Sequence, residues 1–106
     1  MDRIQSIQVK MNDIEAQIAY AETMGWIEKA ERQRERLALL MRAARMKPET
    51  AWKRALELGK RFVNGEGQRA LEDALLYAYA ATGRGLSDSE LLAAVADALA
   101  KKKGGK

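Results

Sequence analysis

The sequence predicts an all-α fold of about five helices. Three observations carry this. The 106 residues are rich in Ala, Leu, Glu, Lys, Arg and Gln, all strong helix formers, and they hold one proline, Pro48. Apolar residues recur at three- and four-residue spacing along most of the chain. Glycine pairs, the proline and one Ser-x-x-Glu box cut the pattern into five segments. The length suits one domain. Within it we expect a heptad-patterned helical hairpin or coiled-coil arm over 1–46, a compact three-helix bundle over 47–103 and a frayed basic tail over 104–106, together one folding unit.

The first segment, residues 3–24, carries the clearest pattern. Ile4, Ile7, Met11, Ile14, Ile18 and Ala21 follow 3-4-3-4-3 spacing, the a/d seam of three heptads. The seam needs a covering helix. That is either the chain's own second helix or a second copy, which makes these six residues the candidate oligomer interface. Lys10 at g and Glu15 at the following e suit a parallel pair. A weaker stripe of Val9, Ala16 and Tyr20 lies opposite, so both packings can coexist. Gly25 falls where the next a residue belongs, and glycine suits a helix C′ position, so a break is expected at 24–25.

The second helix is expected over 26–46, with Trp26, Ala30, Leu37, Met41 and Ala44 on one face. Lys29, Arg32 and Arg36 line the other, Glu28 can pair with Arg32, and Arg34 projects near the apolar stripe. Pro48 and Glu49 restart the chain. A third helix over about 48–63 is two-sided. Ala51, Trp52, Ala55, Leu56, Leu58, Gly59, Phe62 and Val63 cover one side, and Lys53, Arg54, Glu57, Lys60 and Arg61 the other.

After the loop Asn64-Gly65-Glu66-Gly67 comes a fourth helix, about 67–82, apolar in nearly every direction beyond Asp73. A helix apolar all round belongs at the buried centre, with Leu75 as its expected core residue. Ser87-Asp88-Ser89-Glu90 matches a capping box and starts a fifth helix, about 88–103, burying Leu91, Leu92, Val95 and Leu99. Lys101, Lys102 and Lys103 complement its C-terminus.

Charge is distributed unevenly. Residues 42–69 hold Arg42, Arg45, Lys47, Lys53, Arg54, Lys60, Arg61 and Arg69 against Glu49, Glu57 and Glu66, a net of +5 in a chain whose total is +4. A concentrated positive field attracts polyanions. These eight residues are the candidate nucleic-acid-binding set. The bland alternative is that they simply solvate a helix face. No base-stacking aromatic falls on the basic side, because Trp52 and Phe62 lie on the apolar one. Backbone binding is therefore better supported than sequence readout.

Composition narrows the chemistry. There is no cysteine and no histidine, which removes disulfides, thiol nucleophiles and the usual transition-metal ligands. No carboxylate cluster suits Mg²⁺ or Ca²⁺, and no cofactor motif is present. Serines and threonines lack a histidine or lysine-dyad partner. Gly65-Glu66-Gly67 has neither the strand nor the Gly-Lys of a phosphate loop, and adjacent Glu72 and Asp73 point about 100° apart on a helix. An enzyme is not expected. No apolar run is long enough to span a bilayer, and the start lacks a signal-peptide pattern, so a cytoplasmic location is expected.

The order of coiled N-terminal helix, basic middle and small C-terminal bundle loosely resembles accessory DNA-binding proteins of plasmid mobilisation and small helical subunits of CRISPR effector complexes. No motif carries either likeness. Two functions are expected from these residues. The first is nucleic-acid-backbone binding as a dimer or complex subunit. The second is a helical interaction module (adaptor, chaperone or assembly subunit) that uses the 4–21 seam. The expected partners are nucleic acid or an acidic protein surface.

Overall fold

A computed structural model of the chain describes residues 2–104, with side chains through Lys101. It contains five helices: α1 (Arg3–Thr23), α2 (Ile27–Ala44), α3 (Pro48–Val63), α4 (Gln68–Thr82) and α5 (Asp88–Gly104). No helix among the described residues is long and apolar enough to cross a membrane. Of the expected tail, Gly104 closes α5, and Gly105 and Lys106 lie outside the described residues, as do the side chains of Lys102 and Lys103.

Each helix boundary has a local cause. Asp2 caps α1 by accepting from the Gln5 N–H at 2.8 Å, while the Gln5 side chain accepts from the Asp2 N–H at 3.2 Å. Gly25, at φ 75°, turns the chain back. The Trp26 N–H then reaches the Ala21 carbonyl at 2.8 Å and the Gly25 N–H the Glu22 carbonyl at 3.1 Å, the paired bonds of a Schellman end. Ser87 and Glu90 form the expected reciprocal box: the Glu90 N–H donates to Ser87 Oγ at 3.1 Å and the Ser87 N–H to Glu90 Oε1 at 3.0 Å. These hydrogen bonds, first the one from the Ser87 backbone and then that from Arg84, hold the Glu90 carboxyl below its ordinary range.

The α1 seam is consumed inside the chain. Ile7, Ile14 and Ala21 are buried, Met11 and Ile18 pack against the same cluster, and only Ile4 remains exposed, at 59%. Their cover is α2, with α4 closing the N-terminal part. Five of the six residues considered for an oligomer interface are thus engaged within one chain.

The apolar face the sequence assigned to α2 holds only in part: Ala30 is buried and Leu37 and Ala44 pack against the core, but residues beyond that face are buried too. Ala30, Leu39, Leu40 and Ala43 are buried, while Trp26 and Met41 are exposed. The reason is that α2 has two neighbours, α1 and α4. Leu39 and Ala43 share their side of the helix with Arg32 and Arg36, so the side that looked polar is the one that meets α4.

The centre is α4, which packs against every other helix, most extensively α3. Leu71, Ala74, Leu76, Ala78 and Ala80 are buried. They divide between two clusters. One joins Ile7, Ile14, Leu39, Leu40, Ala43 and Ala51 to Leu76 and Ala80. The other joins Ala55 and Leu91 to Leu71, Ala74 and Ala78. Tyr77 packs against both. Leu75, expected as the core residue, is only half-buried, and its neighbour Leu76 takes that place at 2% exposure. On α5, Leu91 and Val95 are buried, whereas Leu92 and Leu99 are half-buried.

Two close approaches lock this arrangement. At Gly83, where φ is 75°, an added Cβ would lie 2.7 Å from Arg3 Cα, and Arg3 Nη1 donates to the Ala80 carbonyl at 2.9 Å, satisfying one of the orphan acceptors at the end of α4. At Gly59 an added Cβ would lie 2.5 Å from Cγ2 of buried Val95, which fixes how closely α3 and α5 meet.

Two stability predictions follow from this packing. Leu76→Ala should cost about 2–5 kcal/mol in urea denaturation, clearly more than Leu75→Ala, because only Leu76 leaves a closed cavity. Equal losses at the two positions would contradict the burial described. Gly59→Ala should destabilise by about 1–3 kcal/mol despite alanine's better helix propensity, since stiff Val95 cannot swing aside. Adding Val95→Ala should return part of that loss, and strict additivity of the pair would show that the contact is not the cause.

Candidate nucleic-acid interface

The basic set is assembled by the way α3 packs. Its inner side is Ala51, Ala55 and Gly59, all buried, flanked by partly buried Trp52, Leu58 and Phe62. Small residues let α3 lie close on α4. Every long polar side chain is left for the outer side, where Thr50, Lys53, Arg54, Glu57 and Arg61 are exposed and Lys60 is half-buried. Lys60 and Arg61 also sit in the last turn, where the helix dipole favours cations. Val63, assigned to the apolar side, is 55% exposed because α3 ends there.

Arg42 lies in the last turn of α2, Arg45 is its C-cap, and Lys47 immediately precedes Pro48. All three are exposed. They surround the entrance to α3, since three residues alone separate the two helices. Ala51, at the start of α3, shares a cluster with Leu40 and Ala43 of α2, so this junction is fixed by packing.

Ion pairing separates the eight residues into two groups. Arg69 turns towards Glu35 of α2 at 3.9 Å and does not join the α3 row. Arg54 lies 3.8 Å from Glu57, an exposed pair of little energetic weight. Arg42, Arg45, Lys47, Lys53, Lys60 and Arg61 have no carboxylate within 4.0 Å among the described residues.

Among the ion-paired side chains the least exposed is elsewhere, in Arg32, at 19%. Its Nη2 donates to Glu72 at 2.9 Å and to Asp73 at 3.1 Å, and Nη1 lies 3.6 Å from Glu35. Burial works against the Arg32 charge, but hydrogen bonds and attraction from Glu72 and Asp73 outweigh it and raise its pKa above the ordinary arginine value. Adjacent carboxylates that point apart on their helix thus share one guanidinium. The pairing expected with Glu28 gives way to this one, because Arg32 faces α4. Arg34 meets Glu22 across the α1–α2 hairpin. Among the described residues, no three His, Cys, Asp or Glu side chains group as metal ligands.

A feature not anticipated from the sequence is an aromatic groove of about 430 Å³ between α1 and α2. Tyr20 and Trp26 meet edge to face with centroids 5.6 Å apart, and Lys29 Nζ sits 4.7 Å from the Trp26 ring centre. Ala16 and Tyr20 of the weaker α1 stripe line it and were its visible signal, while Val9 lies outside it. What completes it is Trp26, brought back beside Tyr20 by the turn at Gly25.

No family model, curated protein or solved structure matches the chain. The site therefore rests on its own geometry.

Arg32→Met should lower stability by about 1–2 kcal/mol, as charge-assisted hydrogen bonds are lost while the apolar stem remains. Because Arg32 is already engaged, the same variant should leave nucleic-acid affinity within about twofold of wild type in an anisotropy titration. A larger loss of affinity would place Arg32 in the interface.

Proposed function

We propose that the chain is a non-enzymatic nucleic-acid-binding protein that contacts the phosphate backbone through α3 and the turn before it. The observation that carries this reading is the set of six cations that have no carboxylate within 4.0 Å among the described residues (Arg42, Arg45, Lys47, Lys53, Lys60 and Arg61), five of them exposed and one half-buried. Phosphate binding asks for a positive surface of this kind and for no catalytic group. Each cation that meets a phosphate releases condensed counterions, so affinity should fall steeply with salt. Arg54 adds to the surface once a phosphate competes with Glu57 for its guanidinium, since that pair is exposed and long.

A second reading is a helical interaction module. The observation favouring it has moved from the seam, which is buried, to the α1–α2 turn. There Tyr20, Met24, Trp26 and Ile27 are exposed, Ile27 at 71%. A contiguous apolar patch marks protein contacts more often than solvent. Binding through that patch should be insensitive to salt, which separates the two readings.

The combined change Lys53→Glu and Lys60→Glu should weaken binding to nucleic acids of every sequence and flatten the salt slope by about one unit per lost phosphate contact. Its thermal melt should fall by no more than a few degrees, because Lys53 is exposed and Lys60→Glu costs about 0.3–1 kcal/mol against the dipole at the end of α3. Anisotropy titrations at two salt concentrations read this directly. Absence of wild-type binding to any DNA or RNA at low salt would reject the proposal.

A further inference from the structure

The outer face of α3 is ordered in three rows, each made by residues seven apart. Such residues lie within about 20° of one another around a helix and about 10.5 Å apart along it. Lys53 and Lys60 form one row, Arg54 and Arg61 another. Between them, roughly 60° from the first and 40° from the second, run Thr50 and Glu57. All except half-buried Lys60 are exposed, and α4 and α5 pack on the opposite side, at Ala51, Ala55 and Gly59. A polar row is therefore held between two basic rails on a helix that presents its face without obstruction.

We propose that α3 enters the major groove of B-form DNA, with the Lys53–Lys60 and Arg54–Arg61 rails on the phosphates of the two groove walls and Thr50 and Glu57 facing the base edges. This rests on the nucleic-acid-binding reading above and names its substrate. The dimensions agree. A helix with side chains is about 10–12 Å across, and the B-DNA major groove is about 12 Å wide and 8.5 Å deep. Charge complementarity favours this occupant over an acidic protein. Two cationic rails with a gap between them match two phosphate walls, while one uniform basic stripe would match a single strand or a flat acidic surface.

Glu57 is the informative residue. On a face that meets phosphates alone, its carboxylate opposes binding and has no use. At the groove floor it accepts a hydrogen bond from the cytosine N4 amino group, the natural partner of a carboxylate there. Its position on the helix sets it in the middle of the face, and its long, exposed pair with Arg54 at 3.8 Å yields readily when that guanidinium moves to a phosphate. Thr50 can meet a thymine methyl or a hydrogen-bonding edge beside it.

The test uses the full chain and probes of equal length: a DNA duplex, the corresponding single strand and an RNA duplex. The DNA duplex should bind about tenfold or more tightly than either. A single strand has no groove, and the major groove of A-form RNA is too narrow for side chains to read. Selection from a randomised DNA duplex library should enrich G·C pairs at one position. Glu57→Gln should shift that position towards adenine, which a glutamine reads in a bidentate manner, and Glu57→Ala should abolish the enrichment. Thermal melts of both variants should match wild type, since Glu57 is exposed. Equal affinity for all three probes would overturn the inference. So would a library without enrichment, or a Glu57→Ala variant that simply binds every sequence more tightly. Each of these leaves backbone binding standing, whereas loss of binding to all probes at low salt removes both proposals.

Discussion

The centre of this molecule is a helix that has no polar side to spare. Beyond its first turns α4 offers water almost nothing, so it is stable only when other helices surround it. The solution is specific because α4 mixes two sizes of residue. Leu71 and Leu76 fill volume, while Ala74, Ala78 and Ala80 let neighbouring backbones come close. Opposite them stand Ala51 and Ala55 of α3, also buried, and Gly59 of α3 then admits Val95 of α5. Close helix approach at small residues gains dispersion contacts along the whole interface. It also makes the packing intolerant of an added methyl group.

That same economy of size explains the charge distribution. A helix that uses its alanines and glycine inward has its long side chains left for the outside. On α3 these are mostly lysines and arginines, which gives a positive face with a rigid backing. On α2 the outcome differs, because α4 arrives on a side that carries arginine. Arg32 is drawn onto Glu72 and Asp73, and this pairing ties α2 to the N-terminal half of α4. Two stretches of the chain with similar basic content therefore end in different roles. On α2, Arg32 and Arg34 are engaged in ion pairs, whereas on α3 only Arg54 has a carboxylate nearby among the described residues, in a long and exposed pair.

The α1–α2 hairpin shows a related division along its length. Its N-terminal end is anchored: Arg3 caps α4, and the Tyr79 hydroxyl donates to the Ser6 carbonyl at 3.1 Å. Towards Gly25 the hairpin extends beyond its cover, and the molecule measures 53 × 32 × 20 Å. Tyr20, Met24, Trp26 and Ile27 are exposed there, beyond the reach of the described parts of the other helices.

Much of the fold was legible along the chain. The spacing of Ile7, Ile14 and Ala21, the turn at Gly25, the restart at Pro48, the Ser87–Glu90 box and the central position of α4 all follow from local periodicity and capping, which are properties of neighbouring residues. The outward row of Lys53, Arg54 and Arg61 was legible for the same reason, since one helix's inner side determines its outer one. What periodicity cannot supply is how many partners a helix has and from which directions they come. Only the tertiary structure decided that the α1 seam closes on its own chain, that Leu76 and not Leu75 fills the core, and that Arg32 faces two carboxylates some forty residues away. It also decided that Tyr20 and Trp26 form one groove. Each of these depends on the relative placement of separate helices, and that placement is set by the sum of many weak packing contacts across the whole molecule.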